Sequence, residues 1–127
     1  MVIIGHGVDI VEIERIEKLL SRFPRRFPRR VCVQSEADYC FDRPAPAESL
    51  AARLAAKEAV YKALSPNIEV LNWREIVILS GRKGRPELEL SGGAAEAAGN
   101  LNITDWHISL SHERDYALAS VIAEGGR

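Results

Sequence analysis

Hydrophobic positions along the chain follow two periods, and the changes between them outline the elements. Val2-Ile3-Ile4, Val8, Ile10 and Val11 predict a buried strand from Val2 to Val11, interrupted by Gly5-His6-Gly7. Glycines inside a strand mark a bulge or a close backbone approach. From Glu12 to Leu20 the spacing becomes helical, with Ile13, Ile16, Leu19 and Leu20 on one stripe. Pro24 and Pro28 then punctuate Arg22 to Arg30, predicted as a turn-rich stretch with Phe23 and Phe27 packed inward. A helix is expected around Ser35 to Cys40, and a loop with Pro44 and Pro46 leads into the central helix.

That central segment runs from Arg53 to Leu64 and is made of good helix formers. Pro46 suits a first turn, where a missing N–H is harmless. Pro66 stops the other end and biases Ser65 away from helical geometry. Trp73 to Leu79 is a strand by its β-branched content, Gly81 to Gly84 a turn, and Glu87 to Leu90 an alternating strand, so the pair predicts a hairpin. Ala94 to Ala98 predicts a short helix, with Gly99 at its end. A second hairpin follows: Trp106, Ile108 and Leu110 share one face, His107, Ser109 and Ser111 the other, His112 sits at the bend, and Tyr116 to Ala123 returns.

Composition adds limits. With 127 residues, the chain is sized for one domain, 1–127, with one modest core. No apolar run is long enough to span a membrane. The first residues lack the basic and long apolar regions of a secretory signal, and a cytoplasmic location is expected. Cys32 and Cys40 lack a CxxC spacing and are expected as two reduced thiols. The net charge of −1 advertises no nucleic-acid partner. Its distribution is uneven, because Glu12, Glu14 and Glu17 precede Arg22, Arg25, Arg26, Arg29 and Arg30.

Several residues invite chemistry, each with a plainer alternative. Asp9 stands between Val8 and Ile10. A carboxylate there needs a hydrogen bond, an ion partner or a metal unless it lies at an exposed strand end or caps the next helix. Glu58 and Lys62 share a helix face, either as an ordinary surface ion pair or as part of a site. His112 is either an exposed loop histidine or a phosphate contact. The arginine block is either a solvated segment or a docking surface for an acidic, phosphate-bearing or RNA partner.

Four segments, taken together, narrow the choice: GVDIVEIERI (Gly7 to Ile16), AARLAAKEAVYKAL (Ala51 to Leu64), Gly84-Arg85-Pro86, and ISLSHERDYALASVI (Ile108 to Ile122). In order and spacing the chain resembles the holo-acyl-carrier-protein synthases, the short class of 4′-phosphopantetheinyl transferases, nearly end to end. The resemblance implies a small α+β fold of helices and antiparallel sheet, typically assembled as a homotrimer with coenzyme A in a cleft between subunits. It implies transfer of the phosphopantetheine arm of coenzyme A to a serine of apo acyl carrier protein, with Mg2+, releasing 3′,5′-ADP. By motif, Asp9 and Glu58 are the metal ligands and Lys62 contacts the coenzyme A phosphates. These three are the catalytic set, with Glu58, directly or through a water on the metal, as the route for the serine proton. His112 matches a residue near the 3′-phosphate, Arg53 can help hold phosphate, and Gly84, Arg85 and Pro86 match the loop beside the adenine. Arg15 falls at the family's docking position on the first helix, with Arg22, Arg25 and Arg26 following, which suits an acidic carrier protein. Neither nucleic acid nor membrane is expected as a partner.

The chain departs from common family patterns in Ser65-Pro66-Asn67 after the central helix, and in His6 between two glycines. Two other classes compete: a coenzyme A or carrier-protein binding module without catalysis, and a small RNA-binding protein using the arginine block. Intact Asp9, Glu58 and Lys62 favour the transferase.

Overall fold

The structure is a computed structural model and describes residues 1–126. Its centre is the long helix α4 (Pro46–Leu64), laid across one face of a three-stranded antiparallel sheet. The sheet has the order β1 (Val2–Glu12), β5 (Tyr116–Gly125), β4 (Ile103–Glu113). Three shorter helices, α1 (Ile13–Arg22), α2 (Arg26–Val31) and α3 (Gln34–Phe41), link β1 to α4. After α4, the hairpin β2 (Ile76–Ser80) and β3 (Pro86–Leu90) and the helix α5 (Gly92–Asn100) lead back into β4. This is the mixed helix and antiparallel-sheet architecture that the sequence predicts.

Small residues bring α4 close to the sheet. The helix presents buried Ala55, Ala56, Ala59 and Ala63, and β5 answers with buried Ala117, Ala119 and Ala123. On β1, a Cβ at Gly5 would overlap the Ala63 carbonyl oxygen, and one at Gly7 the Ala59 carbonyl oxygen. Backbone therefore meets backbone there, as glycine in a strand permits.

This arrangement corrects the expectation of a buried first strand. With glycines turned towards α4, the large side chains point the other way, and Ile3, Val8 and Ile10 are exposed. Tyr116 and Leu118 of β5 are exposed too, opposite Glu12 and Ile10 in register, so the far face of the sheet has an apolar centre.

Four smaller corrections have local reasons. Arg26–Val31 is a short helix rather than turns alone. Pro28 lies in its first turn, where no intrahelical N–H bond is required. Trp73–Glu75 is a 3-10 turn capped by the Asn72 side chain, and the strand begins only at Ile76. The last small helix runs past Gly99 to Asn100. His112 lies within β4, paired with Ala117, and the bend comes two residues later.

Candidate active site

The close contact of α4 with β1 sets Glu58 and Lys62 against Asp9. Lys62 Nζ donates to Asp9 Oδ1 at 3.1 Å and to the Val8 carbonyl at 3.0 Å. Asp9 thus takes the reading of a partnered carboxylate rather than a helix cap; α1 has no side-chain cap at its N-terminus. Glu58 is half-buried beside them. Burial, then the Asp9 charge, push its carboxyl above the usual glutamate range, while Lys62 and Arg15 pull it down. Two carboxylates and one ammonium share the site, and Arg15 adds a further positive charge.

These groups open on a groove of about 370 Å³. Asp9, Arg15 and Glu58 lie on its wall with apolar Phe27, Leu54 and Trp73, and Arg30 of α2 reaches it as well. The groove thus combines apolar walls with the charged Asp9, Arg15, Arg30 and Glu58. Its lining mixes apolar body and few convergent polar groups, as small-molecule sites do.

The other predicted site residues lie elsewhere on this chain. His112 Nε2 is 3.2 Å from Glu48 Oε1, near the first turn of α4. It borders a hollow of about 420 Å³ with Ile10, Ser111, Tyr116 and Leu118. Gly84, Arg85 and Pro86 face Trp106 to Leu110 across a separate groove of about 530 Å³. Arg53 is 6% exposed, with Cζ 4.1 Å from the Tyr39 ring centroid and Nη1 donating to Ser49 Oγ at 3.3 Å. Its Nε has no partner.

The arginine block is divided. Arg22, Arg25 and Arg26 are exposed, and Arg25 lines a groove between α2 and α3 with Arg29 and Arg74, not the groove of Asp9 and Glu58. Among the described residues no arginine forms an ion pair within 4.0 Å. Cys32 and Cys40 are free and buried, and burial, helped by Glu36, pushes the Cys32 thiol up to about 12.

One feature escaped the sequence reading. Lys57 and Glu36 form a buried ion pair at 2.8 Å, with side chains 1% and 0% exposed. The signal is in the spacing: Leu50, Arg53, Lys57, Val60 and Leu64 fall on one helical stripe, and all five are buried. Trp73 and Arg30, now on the groove wall, carry no comparable signal.

Known proteins give a consistent context. Residues 5–121 match the family model described as the 4′-phosphopantetheinyl transferase superfamily. The chain is 43% identical over 126 residues to the holo-[acyl-carrier-protein] synthase of Herpetosiphon aurantiacus, covering 94% of this chain and 97% of that one. The crystal structure of the Neisseria meningitidis holo-[acyl-carrier-protein] synthase superposes with a TM-score of 0.87 at 33% identity, covering 97% and 99%. The Helicobacter pylori holo-[acyl-carrier-protein] synthase, solved in complex with coenzyme A, gives 0.80 at 36% identity, covering 94% and 99%. With the charged cluster of Asp9, Glu58 and Lys62 in place on that fold, the chain belongs to the 4′-phosphopantetheinyl transferase superfamily as a transferase of the holo-[acyl-carrier-protein] synthase type.

Proposed function

We propose that this enzyme transfers the 4′-phosphopantetheine group of coenzyme A to a serine of an acidic apo acyl carrier protein, in a Mg2+-dependent reaction that releases 3′,5′-ADP. The observation that carries this is the cluster of Asp9, Glu58 and Lys62, with Asp9 and Glu58 on the wall of the groove. The 127 residues act as one transferase domain, in a cytoplasmic setting.

The cluster fits magnesium by its chemistry. Its donors are oxygens, and the Asp9 charge raises the Glu58 carboxyl, a repulsion that a divalent cation relieves. No group of three or more potential ligands occurs among the described residues. Two carboxylates suit an ion that keeps waters and takes substrate phosphate oxygens. When bound, magnesium would neutralise charge on the transferring phosphoryl group. Lys62, half-exposed and next to Asp9, moves onto the pyrophosphate of coenzyme A and stabilises the same charge. Glu58, with its raised affinity for a proton, accepts one from the attacking serine hydroxyl. The serine attacks in line with the leaving 3′,5′-ADP oxygen.

Coenzyme A is bound between copies of the chain in a homotrimer. On one chain, Asp9 and Glu58 lie apart from His112 and from the Gly84-Arg85-Pro86 turn. The exposed Val8, Ile10, Tyr116 and Leu118 supply an apolar surface for a neighbouring copy. In this arrangement His112 reads the 3′-phosphate, Gly84 to Pro86 border the adenine, and Arg53 reaches phosphate by leaving Tyr39. The carrier protein docks on Arg15, Arg22, Arg25 and Arg26, where complementary charge raises the association rate and fixes orientation.

Intact mass spectrometry of an apo carrier protein incubated with this enzyme, coenzyme A and magnesium tests the reading. A gain of one phosphopantetheine group, lost with chelator, is expected; no gain on any carrier would leave a binding module. Asp9→Ala is expected to abolish transfer while coenzyme A still binds in calorimetry, and normal magnesium-dependent turnover would overturn the metal assignment. Arg15→Glu is expected to raise the KM for carrier protein about tenfold, with that for coenzyme A little changed. Equal effects on both would remove Arg15 from docking.

A further inference from the structure

The Glu36–Lys57 pair takes no part in the chemistry above, yet both of its side chains are almost wholly buried. Lys57 Nζ donates to Glu36 Oε1 and to the Trp73 carbonyl, each at 2.8 Å. Glu36 Oε1 also accepts the Val33 N–H at 3.0 Å, and Oε2 the Ile78 N–H at 2.9 Å. Helices α3 and α4, strand β2 and the 3-10 turn at Trp73 therefore meet at one ammonium–carboxylate contact.

On the stripe of Lys57, Leu50, Val60 and Leu64 supply large buried side chains, but the rest of the buried surface of α4 is shallow. Ala51, Ala52, Ala55, Ala56, Ala59 and Ala63 make up much of it. Helices lock by ridges entering grooves, and alanine ridges are shallow. Gly5 and Gly7 set how near α4 comes to β1, but not which side chains it turns towards Asp9. A buried ion pair is directional, and its best-attested role is to select one register among several of similar packing.

We infer that Lys57 and Glu36 are positioning residues for the transfer reaction: their contact sets the rotation of α4 that aims Glu58 at Asp9, and it holds Trp73 as a wall of the groove. The inference rests on reading Asp9, Glu58 and Lys62 as the reacting site. Lys57 directly precedes Glu58, and neighbours on a helix point about 100° apart, so the direction of one fixes the other. A turn of about 10° displaces a group about 6 Å from the helix axis by about 1 Å. A shift of that size can lower a rate about 100-fold.

The test is the double variant Lys57→Met/Glu36→Gln, which keeps side-chain volume, removes both charges and leaves an amide oxygen for a backbone N–H. It is expected to unfold cooperatively, to keep its KM for coenzyme A within about threefold, and to lose about 30- to 100-fold in kcat. Its crystal structure is expected to place the Glu58 carboxylate about 1 Å or more from its wild-type position relative to Asp9. A folded variant with wild-type kcat, or with Glu58 unmoved, overturns the inference. Should the double variant not fold, Glu36→Asp keeps the counter-charge but shortens the carboxylate arm by one methylene, and it is expected to show the same split at about three- to tenfold; wild-type kcat in that folded variant overturns the inference as well. If the wild-type protein transfers nothing, the transferase reading fails, and the position of Glu58 in the variant crystal still decides the role of the pair.

Discussion

Helix α4 carries two lysines five residues apart, each bonded to a carboxylate, and the two pairs are built in opposite ways. Lys57–Glu36 is closed: both side chains are out of water, and the carboxylate accepts two backbone N–H groups besides the ammonium. Lys62–Asp9 is open: the lysine side chain is 51% exposed, and the bond at 3.1 Å is longer than the 2.8 Å of the closed pair. A closed pair is out of reach of a ligand, because both of its side chains are buried. An open one can change partners, so Lys62 can move to a phosphate and leave Asp9 free for a cation. Under the proposed function, the same residue types on one helix serve architecture at one place and chemistry at the other, and burial is what separates the roles.

The largest expected effect breaks the closed pair. Lys57→Met leaves Glu36 buried without a counter-charge, which is expected to cost about 3–5 kcal/mol of stability. Urea denaturation measures it, as a lower midpoint with little change in slope. A loss under about 1 kcal/mol would mean that solvent reaches Glu36, and the distinction between closed and open would fall.

The mirror-image substitution comes next. Lys62→Met is expected to change stability by less than about 1 kcal/mol, because a half-exposed pair is weak. Transfer to the carrier protein is expected to fall about 10²- to 10³-fold, as when one preorganised donor to developing charge is removed. Steady-state kinetics beside a thermal melt separates the two quantities. Comparable losses in both would make Lys62 an architectural residue like Lys57.

The contrast also explains what could be read before the fold was known. Asp9, Glu58 and Lys62 were legible because an i,i+4 pair and a carboxylate within an apolar strand are local patterns, and because the family motifs fall on them. The central helix was legible at its C-terminal end from Pro66, while Pro46 was legible both as part of the loop leading in and as a first-turn residue, and the structure starts the helix there. Lys57–Glu36 was not, since its partners are 21 residues apart and a lysine is ordinarily placed at the surface. Only the stripe from Leu50 to Leu64 hints that Lys57 is inside. The first strand misled for a related reason. Its large residues read as the buried set, but a helix lying directly on a strand needs glycine beneath it, so Val8 and Ile10 turn outward. Pro28 was read as a breaker because sequence gives its presence, not its place in the first turn of a helix.

The smallest expected effect concerns sign rather than size. The Glu58 carboxyl is raised above its ordinary value of 4.5, first by burial and then by Asp9. The folded protein therefore holds that proton more tightly than the unfolded chain does. Well below the ordinary value both states are protonated and the group contributes no difference. As pH rises through the window between the ordinary and the raised value, the unfolded chain releases its proton first and folding stability declines. Glu58→Gln cannot ionise, so it is expected to escape this decline. Its melting temperature relative to wild type should increase from about pH 4 to about pH 7, without magnesium or coenzyme A, while transfer is lost. The closed pair answers the other way, since removing the Lys57 charge destabilises the fold. If Glu58→Gln instead melts lower than wild type at neutral pH, the charged Glu58 is a stabilising partner in the free enzyme, and the open site is held together by its charges in the same manner as the closed one.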